Sequence, residues 1–184
     1  MTDSYPDKIE FDIDRDALRR YLRVTWFVAW VAGLAFFGGM FGLVAAGERA
    51  EKHDIQSVQE HLTLFAGGIG LGLFAAFVVS TVLYFLFSHR LAATMAASLR
   101  VTVEGAFLRI IQHGSVRVDR KIHFRSIVDY TTVESSLMRR FGIMALHMTT
   151  IGGGNQLGPK ILGIRECPRV RDTLAQIDAL RENG

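Results

Sequence analysis

The stretch "GGGNQLGPK", residues 152–160, has the glycine density of a phosphate cradle. A Walker-type loop needs Lys and then Ser or Thr directly after its last glycine, so that the lysine reaches the phosphates and the hydroxyl holds Mg2+. Here Pro159 follows Gly158, and the stretch reads instead as a loose hairpin loop. The six histidines include no HExxH or other short metal-ligand spacing, and His113, His123 and His147 fall one to each presumed strand, as ordinary strand residues. Cys167 is the only cysteine, which rules out an intramolecular disulfide. A nucleophilic role for it would need a neighbouring base, so a buried or cap-position thiol is the expectation. Acidic residues in the carboxy-terminal half are few and scattered, without the pairing that general acid–base work needs. These residues predict no catalytic centre, no metal, no cofactor and no small-molecule substrate.

Charge is the informative chemistry. From Arg90 onward there are fourteen Lys or Arg against eight Asp or Glu. Two clusters stand out. In "SSLMRRFGIMALHMTT", residues 135–150, Arg139 and Arg140 sit between an apolar Leu-Met and a Phe-Gly that runs into a strand-like segment. In "VRVDRKIHF", residues 116–124, Arg117, Arg120 and Lys121 line an alternating run. These five cations are the candidate contacts for anionic lipid or a protein partner. The doublet could also be a solvated turn; Arg140 is expected to hold the turn and Arg139 to be the freer of the two. Nucleic acid is not expected, because the cations are not interleaved with exposed aromatics.

The elements that position these residues begin with two uncharged runs. Residues 24–47, "VTWFVAWVAGLAFFGGMFGLVAAG", and 62–88, "LTLFAGGIGLGLFAAFVVSTVLYFLFS", contain no Asp, Glu, Lys, Arg or His. At about 1.5 Å per residue the shorter run is roughly 36 Å long as a helix, enough to cross a hydrocarbon core of about 30 Å with some tilt. A helix buried in a soluble core would carry a polar stripe. A cleaved leader is not expected, since the first run is too long and lacks a small-residue cleavage pattern.

Lys8, Arg15, Arg19, Arg20 and Arg23 precede the first run and Arg90 and Arg100 follow the second, whereas the connection has only Arg49 and Lys52. Positive flanks lie on the cytoplasmic side, which predicts a hairpin in the inner membrane with both termini cytoplasmic. Gly38 and Gly42 in the first run, and Gly68 and Gly72 in the second, make small-xxx-small pairs suited to close helix packing, though glycine is also simply common in such helices. Trp26 and Trp30 fit an interfacial belt. In "DRDALRRYLR" Asp14 is a plausible helix cap, and Ala17, Leu18, Tyr21 and Leu22 form an apolar face that either lies on the inner membrane surface or continues the first helix. The expected division is an amino-terminal amphipathic segment 1–23, spans 24–47 and 62–88, an outer loop 48–61, and a cytoplasmic domain 89–184.

That domain changes period. "LRVTVEG", "FLRIIQ", "VRVDRKIHF", "SIVDYTTVE", "IMALHMTTI" and "KILGI" read as six strands, the third half-buried through Val116, Val118, Ile122 and Phe124 with Arg120 as its blemish. In "CPRVRDTLAQIDALREN" Pro168 suits a first helical turn, and Val170, Leu174, Ile177 and Leu180 share a face.

The order "LRVTVEGAFLRIIQHG", "IHFRSIVDYTTVESSLMRRFG", "ALHMTTIGGG", "LGI" and "CPRVRDTLAQI" resembles the bacterial PH-like domains that occur flanked by membrane helices, through Ile127, Arg140, Phe141, Gly142, Leu146, Thr150, Gly163, Ile164 and Pro168. Cys167 stands where that family often has an acidic residue. The resemblance implies an α+β membrane protein: a two-helix hairpin followed by a seven-stranded PH-like β-barrel or sandwich of two sheets closed by a carboxy-terminal helix. The resemblance supports a non-catalytic module without naming a partner; the expected role is an interaction or scaffold module that docks a membrane-protein partner or itself as a homo-oligomer, with membrane lipids around it. An anionic-lipid sensor using the basic face is the alternative.

Overall fold

The structure, a computed structural model, describes residues 9–52, 57–151 and 159–165, with 175, 178 and 179. The chain divides into two units, Met1–Leu22 with Leu91–Gly184, and Arg23–Arg90.

Helix α1 runs unbroken over Arg15–Lys52 and α2 over Val58–Leu83; a π-helical turn at Tyr84–Ser88 leads into α3, His89–Ser98. Both long helical stretches are long and apolar enough to cross a membrane. The expected outer loop is largely helical at both ends, and its residues 53–56 lie outside the described residues. Phe36, Phe41 and Phe74 are each at least two-thirds exposed, unlike the side chains of a soluble core helix.

Within the Arg23–Arg90 unit the glycines meet pairwise. A Cβ built on Gly38 would overlap the Gly72 carbonyl oxygen, and one on Gly68 would lie 2.6 Å from the Gly42 oxygen and 2.9 Å from the Ala46 Cβ. Backbones this close leave no room for a side chain. Ser80, fully buried, donates to the Ala76 carbonyl at 2.7 Å in its own helix and lies 3.3 Å from the Trp30 carbonyl in the other. The Trp30 indole N–H donates to Ser88 Oγ at 2.7 Å, so this ring is tied across the hairpin.

The sheets belong to the other unit. Strands β1 (Ile9–Glu10), β2 (Arg100–Glu104), β3 (Phe107–His113) and β4 (Arg117–His123) form an antiparallel sheet in chain order, and β5 (Ile127–Val133), β6 (Met144–Thr150) and β7 (Lys160–Ile164) form a second. Gly105, at φ 59°, turns β2 into β3, and a 3-10 turn at Phe124–Ser126 leads from β4 to β5. Seven strands and two sheets match the PH-type architecture, but among the described residues the sheets do not close into a barrel. They are linked instead by the segment before α1: Ile9 and Glu10 pair with β2, Phe11 N–H donates to the Val101 carbonyl, and Ile13 bridges Ile164 of β7.

From the sequence the stretch "DRDALRRYLR" either lies on the inner membrane surface or continues the first helix, and the structure shows the second, with α1 beginning at Arg15. Phe11, Ala17, Leu18 and Leu22 are buried, as are Val101, Val103, Leu108, Ile110, Leu146 and Ile161 of the strands. The face Ala17–Leu18–Leu22 therefore completes a protein core instead of lying on a lipid surface. Asp14 caps α1 by accepting from Ala17 N–H at 2.9 Å. After the hairpin, Ser98 Oγ accepts from the His113 N–H at 2.8 Å, fixing the end of α3 to β3.

Strand β4 is also corrected. Only Ile122 of its seven residues is buried, and Val116 and Val118 are 70% and 41% exposed. Alternation marks its two faces, but as the outer strand of its sheet it has cover only near one end. Of the expected carboxy-terminal helix, residues 175, 178 and 179 are helical, and Tyr130 Oη donates to Asp178 at 2.5 Å. The rest of that segment, with Cys167 and Pro168, and the glycine loop 152–158 lie outside the described residues.

Candidate interaction surface

The arginine doublet belongs to a five-residue helix, α4, Ser136–Arg140, set between β5 and β6. Ser135 caps it, its side chain accepting from Met138 N–H at 3.2 Å. It ends in a Schellman motif: Gly142 N–H bonds to the Arg139 carbonyl and Ile143 N–H to the Met138 carbonyl, with Gly142 at φ 66° and both Met138 and Ile143 buried. Phe141 meets the Tyr21 ring edge-on at 6.3 Å. This explains "Arg-Phe-Gly" physically: the glycine supplies the left-handed cap and the phenylalanine packs on the segment before the hairpin.

Neither arginine holds that turn. Arg139 reaches back to Glu134, with Nε 3.2 Å from the carboxylate, and its side chain stays 74% exposed. Arg140 is exposed and has no ion pair among the described residues. Of the two, Arg139 is the ion-paired one and Arg140 the freer, because Glu134 lies just before the Ser135 cap, within reach of Arg139.

Arg117, Arg120 and Lys121 lie together on β4. The β3–β4 register sets Arg109 opposite Lys121, Ile110 opposite Arg120 and His113 opposite Arg117. Arg117, Asp119 and Lys121 therefore face outward with Arg109, while Arg120 shares the side of Ile122. Arg109 forms a two-pronged bond to Asp119, at 2.9 and 2.7 Å, and lies 3.6 Å from Glu104, which is itself 3.8 Å from Lys121 Nζ. This network relieves the like-charge pairing of Arg109 and Lys121. The Arg109 hydrogen bonds hold the Asp119 carboxyl below its usual range and raise the Arg109 guanidinium. Arg117 adds a weaker pull on Asp119, and Arg120 has no ion pair among the described residues. The structure so gathers three of the five predicted cations on one edge strand and puts the other two on the β5–β6 connection.

Sequence reasoning missed the Asp14–Arg165 pair, in which two of the guanidinium nitrogens, Nε and Nη2, donate to one carboxylate oxygen at 2.9 and 2.5 Å. The Ala17 N–H bond, then Arg165, keeps the Asp14 carboxyl below its usual range against the opposing effect of burial. With the Asp14 N–H bond to the Gly163 carbonyl, this ties the start of α1 to the end of β7. A cap residue is visible in a sequence, but a partner 151 positions away is not. Burial, with Lys160 across the ladder, lowers His147. No three His, Cys, Asp or Glu side chains converge as metal ligands among the described residues.

Two small antiparallel sheets with a helix-capped β5–β6 turn and a bulged Gly163 define a PH-like module. The chain matches the family described as the bacterial PH domain over residues 49–178, and it belongs to that family. Domains of PH type are generally non-catalytic and commonly bind lipids or proteins. No curated protein and no solved structure matches the chain.

Proposed function

We propose that this protein is a membrane-anchored, non-catalytic PH-like interaction module that docks a membrane-protein partner or a second copy of itself. The observation that carries the reading is the shared core: the sheet unit takes buried residues both from before the helical hairpin and from after it. A domain that both ends of the hairpin feed requires those ends to lie on one side of a membrane. Arg15, Arg19, Arg20 and Arg23 with Arg90 and Arg100 support the cytoplasm as that side, in a reading with spans near 24–47 and 62–88 and 48–61 outside. The exposed phenylalanines of both helices support lipid as their surroundings.

The alternative, an anionic-lipid sensor, has Arg117, Arg120 and Arg140 in its favour, each worth about 1 kcal/mol if close to a charged leaflet. Against it, Arg15, Arg109, Arg139 and Arg165 lie in ion pairs with carboxylates of the same unit. Docking is the better-supported reading.

Purification of the full chain in mild detergent tests it, with one stoichiometric membrane protein or a defined homo-oligomer expected. A lone monomer that binds phosphatidylserine vesicles with steep salt dependence would overturn docking in favour of lipid. For topology, with Cys167 replaced by Ser, an impermeant thiol reagent should label a cysteine at position 54 in intact cells and miss one at 184. The reverse pattern would overturn the orientation.

A further inference from the structure

We propose that β4 is the docking edge, and that its occupant is an extended, acid-rich segment of a partner protein added beside it as a fifth strand. This inference rests on the docking reading and names the partner's chemistry.

Among the described residues, the sheet order β1-β2-β3-β4 gives Arg117–His123 a ladder on one side only. Its register with β3 is unbroken from Phe107–His123 to His113–Arg117, without bulge or proline, and residues 117 to 121 are all exposed. An edge with an unbroken register, open among the described residues, is a template for another strand. Its cations bar non-specific pairing and at the same time select a partner. Arg117, Arg120 and Lys121 stand against the single anion Asp119, which Arg109 already holds. The edge is therefore net positive.

That charge argues against a second β4 as occupant, because like-charged strands would face each other. It favours a strand carrying Asp or Glu at alternate positions beside Arg117 and Lys121. On the other face the same strand would offer an apolar residue to Val118, which is 41% exposed, and an acid to Arg120. A lipid headgroup could meet the charges but could not form the backbone ladder.

The test uses the full chain in detergent micelles and a labelled synthetic peptide, Thr-Val-Glu-Glu-Thr-Val-Glu, which run antiparallel puts Glu beside Arg117, Arg120 and Lys121 and Val beside Val118, followed by fluorescence anisotropy and hydrogen exchange. Saturable binding is expected, with new amide protection in residues 117–123. Methylating alternate peptide amides should abolish it, and Arg120→Glu with Lys121→Glu should weaken it by about tenfold while leaving the melting transition in place. Absence of binding, equal binding of the methylated peptide, or binding of phosphatidylserine vesicles in place of the peptide would each overturn the proposal. If a partner still co-purifies with the doubly substituted protein, the edge inference fails and docking stands. If no partner or oligomer is found with the unsubstituted protein, docking itself fails.

Discussion

Leu18→Ala decides whether the first turns of α1 belong to the sheet domain. On a membrane surface, that side chain would matter little to the strands. In the structure Leu18 is 1% exposed, and its Cβ and Cδ2 lie 3.0 Å from where a Cβ on Gly163 would project. Truncation loses the transfer free energy of the removed carbons and leaves a cavity, together about 2–5 kcal/mol. Collapse cannot recover much of this, because β7 is held opposite by the Ile13–Ile164 bridge and the Asp14–Gly163 hydrogen bond. Against a typical domain stability of about 5–15 kcal/mol the loss is large. Proteolysis of the full chain in micelles, read on cleavage within residues 127–150, reports the opened fraction when opening is fast. A loss of about 2 kcal/mol raises that fraction roughly thirtyfold. Phe41→Ala is the control, in the same helix but 74% exposed, and should leave cleavage unchanged. An effect of Leu18→Ala below about 0.5 kcal/mol, or an equal effect of Phe41→Ala, would refute the shared core.

Gly142→Ala forces a Cβ into the left-handed cap of α4 and should cost about 1 kcal/mol in thermal melting; an unchanged melt would remove the Schellman account. Gly72→Val should push α2 away from Gly38, seen as a longer distance between spin labels on α1 and α2, and an unaltered distance would show that the glycines are not the seam. Asp14, held below the ordinary value of 3.8 by the Ala17 N–H and Arg165, contributes stability that is complete above that value and is lost as pH falls through its lower folded value. Asp14→Asn should therefore flatten the acid limb of the stability curve, and an identical limb in both proteins would count against the pair.

The helices were legible because a long uncharged run has few other outcomes, and most strands because alternation survives wherever one face is buried. Strand β1 was not, although Ile9, Phe11 and Ile13 alternate with Glu10, Asp12 and Asp14 in the same way. It is two residues long and pairs with β2 across the entire hairpin, a separation at which local pattern says nothing about partners. Strand β4 failed in the opposite direction, since alternation distinguishes two faces but not whether either has anything packed on it. The doublet shows a third kind of limit. Arg139 and Arg140 differ in role only because Ser135 starts a helix just after Glu134, which brings that carboxylate within reach of Arg139. Reading Ser135 as a cap would have placed Gly142 at the helix end, moved the structural burden of "Arg-Phe-Gly" onto Phe141 and Gly142, and left Arg140 open to solvent. What made the motif recognisable was therefore the glycine and the aromatic ring, and the cation beside them is exposed to whatever this face of the domain meets.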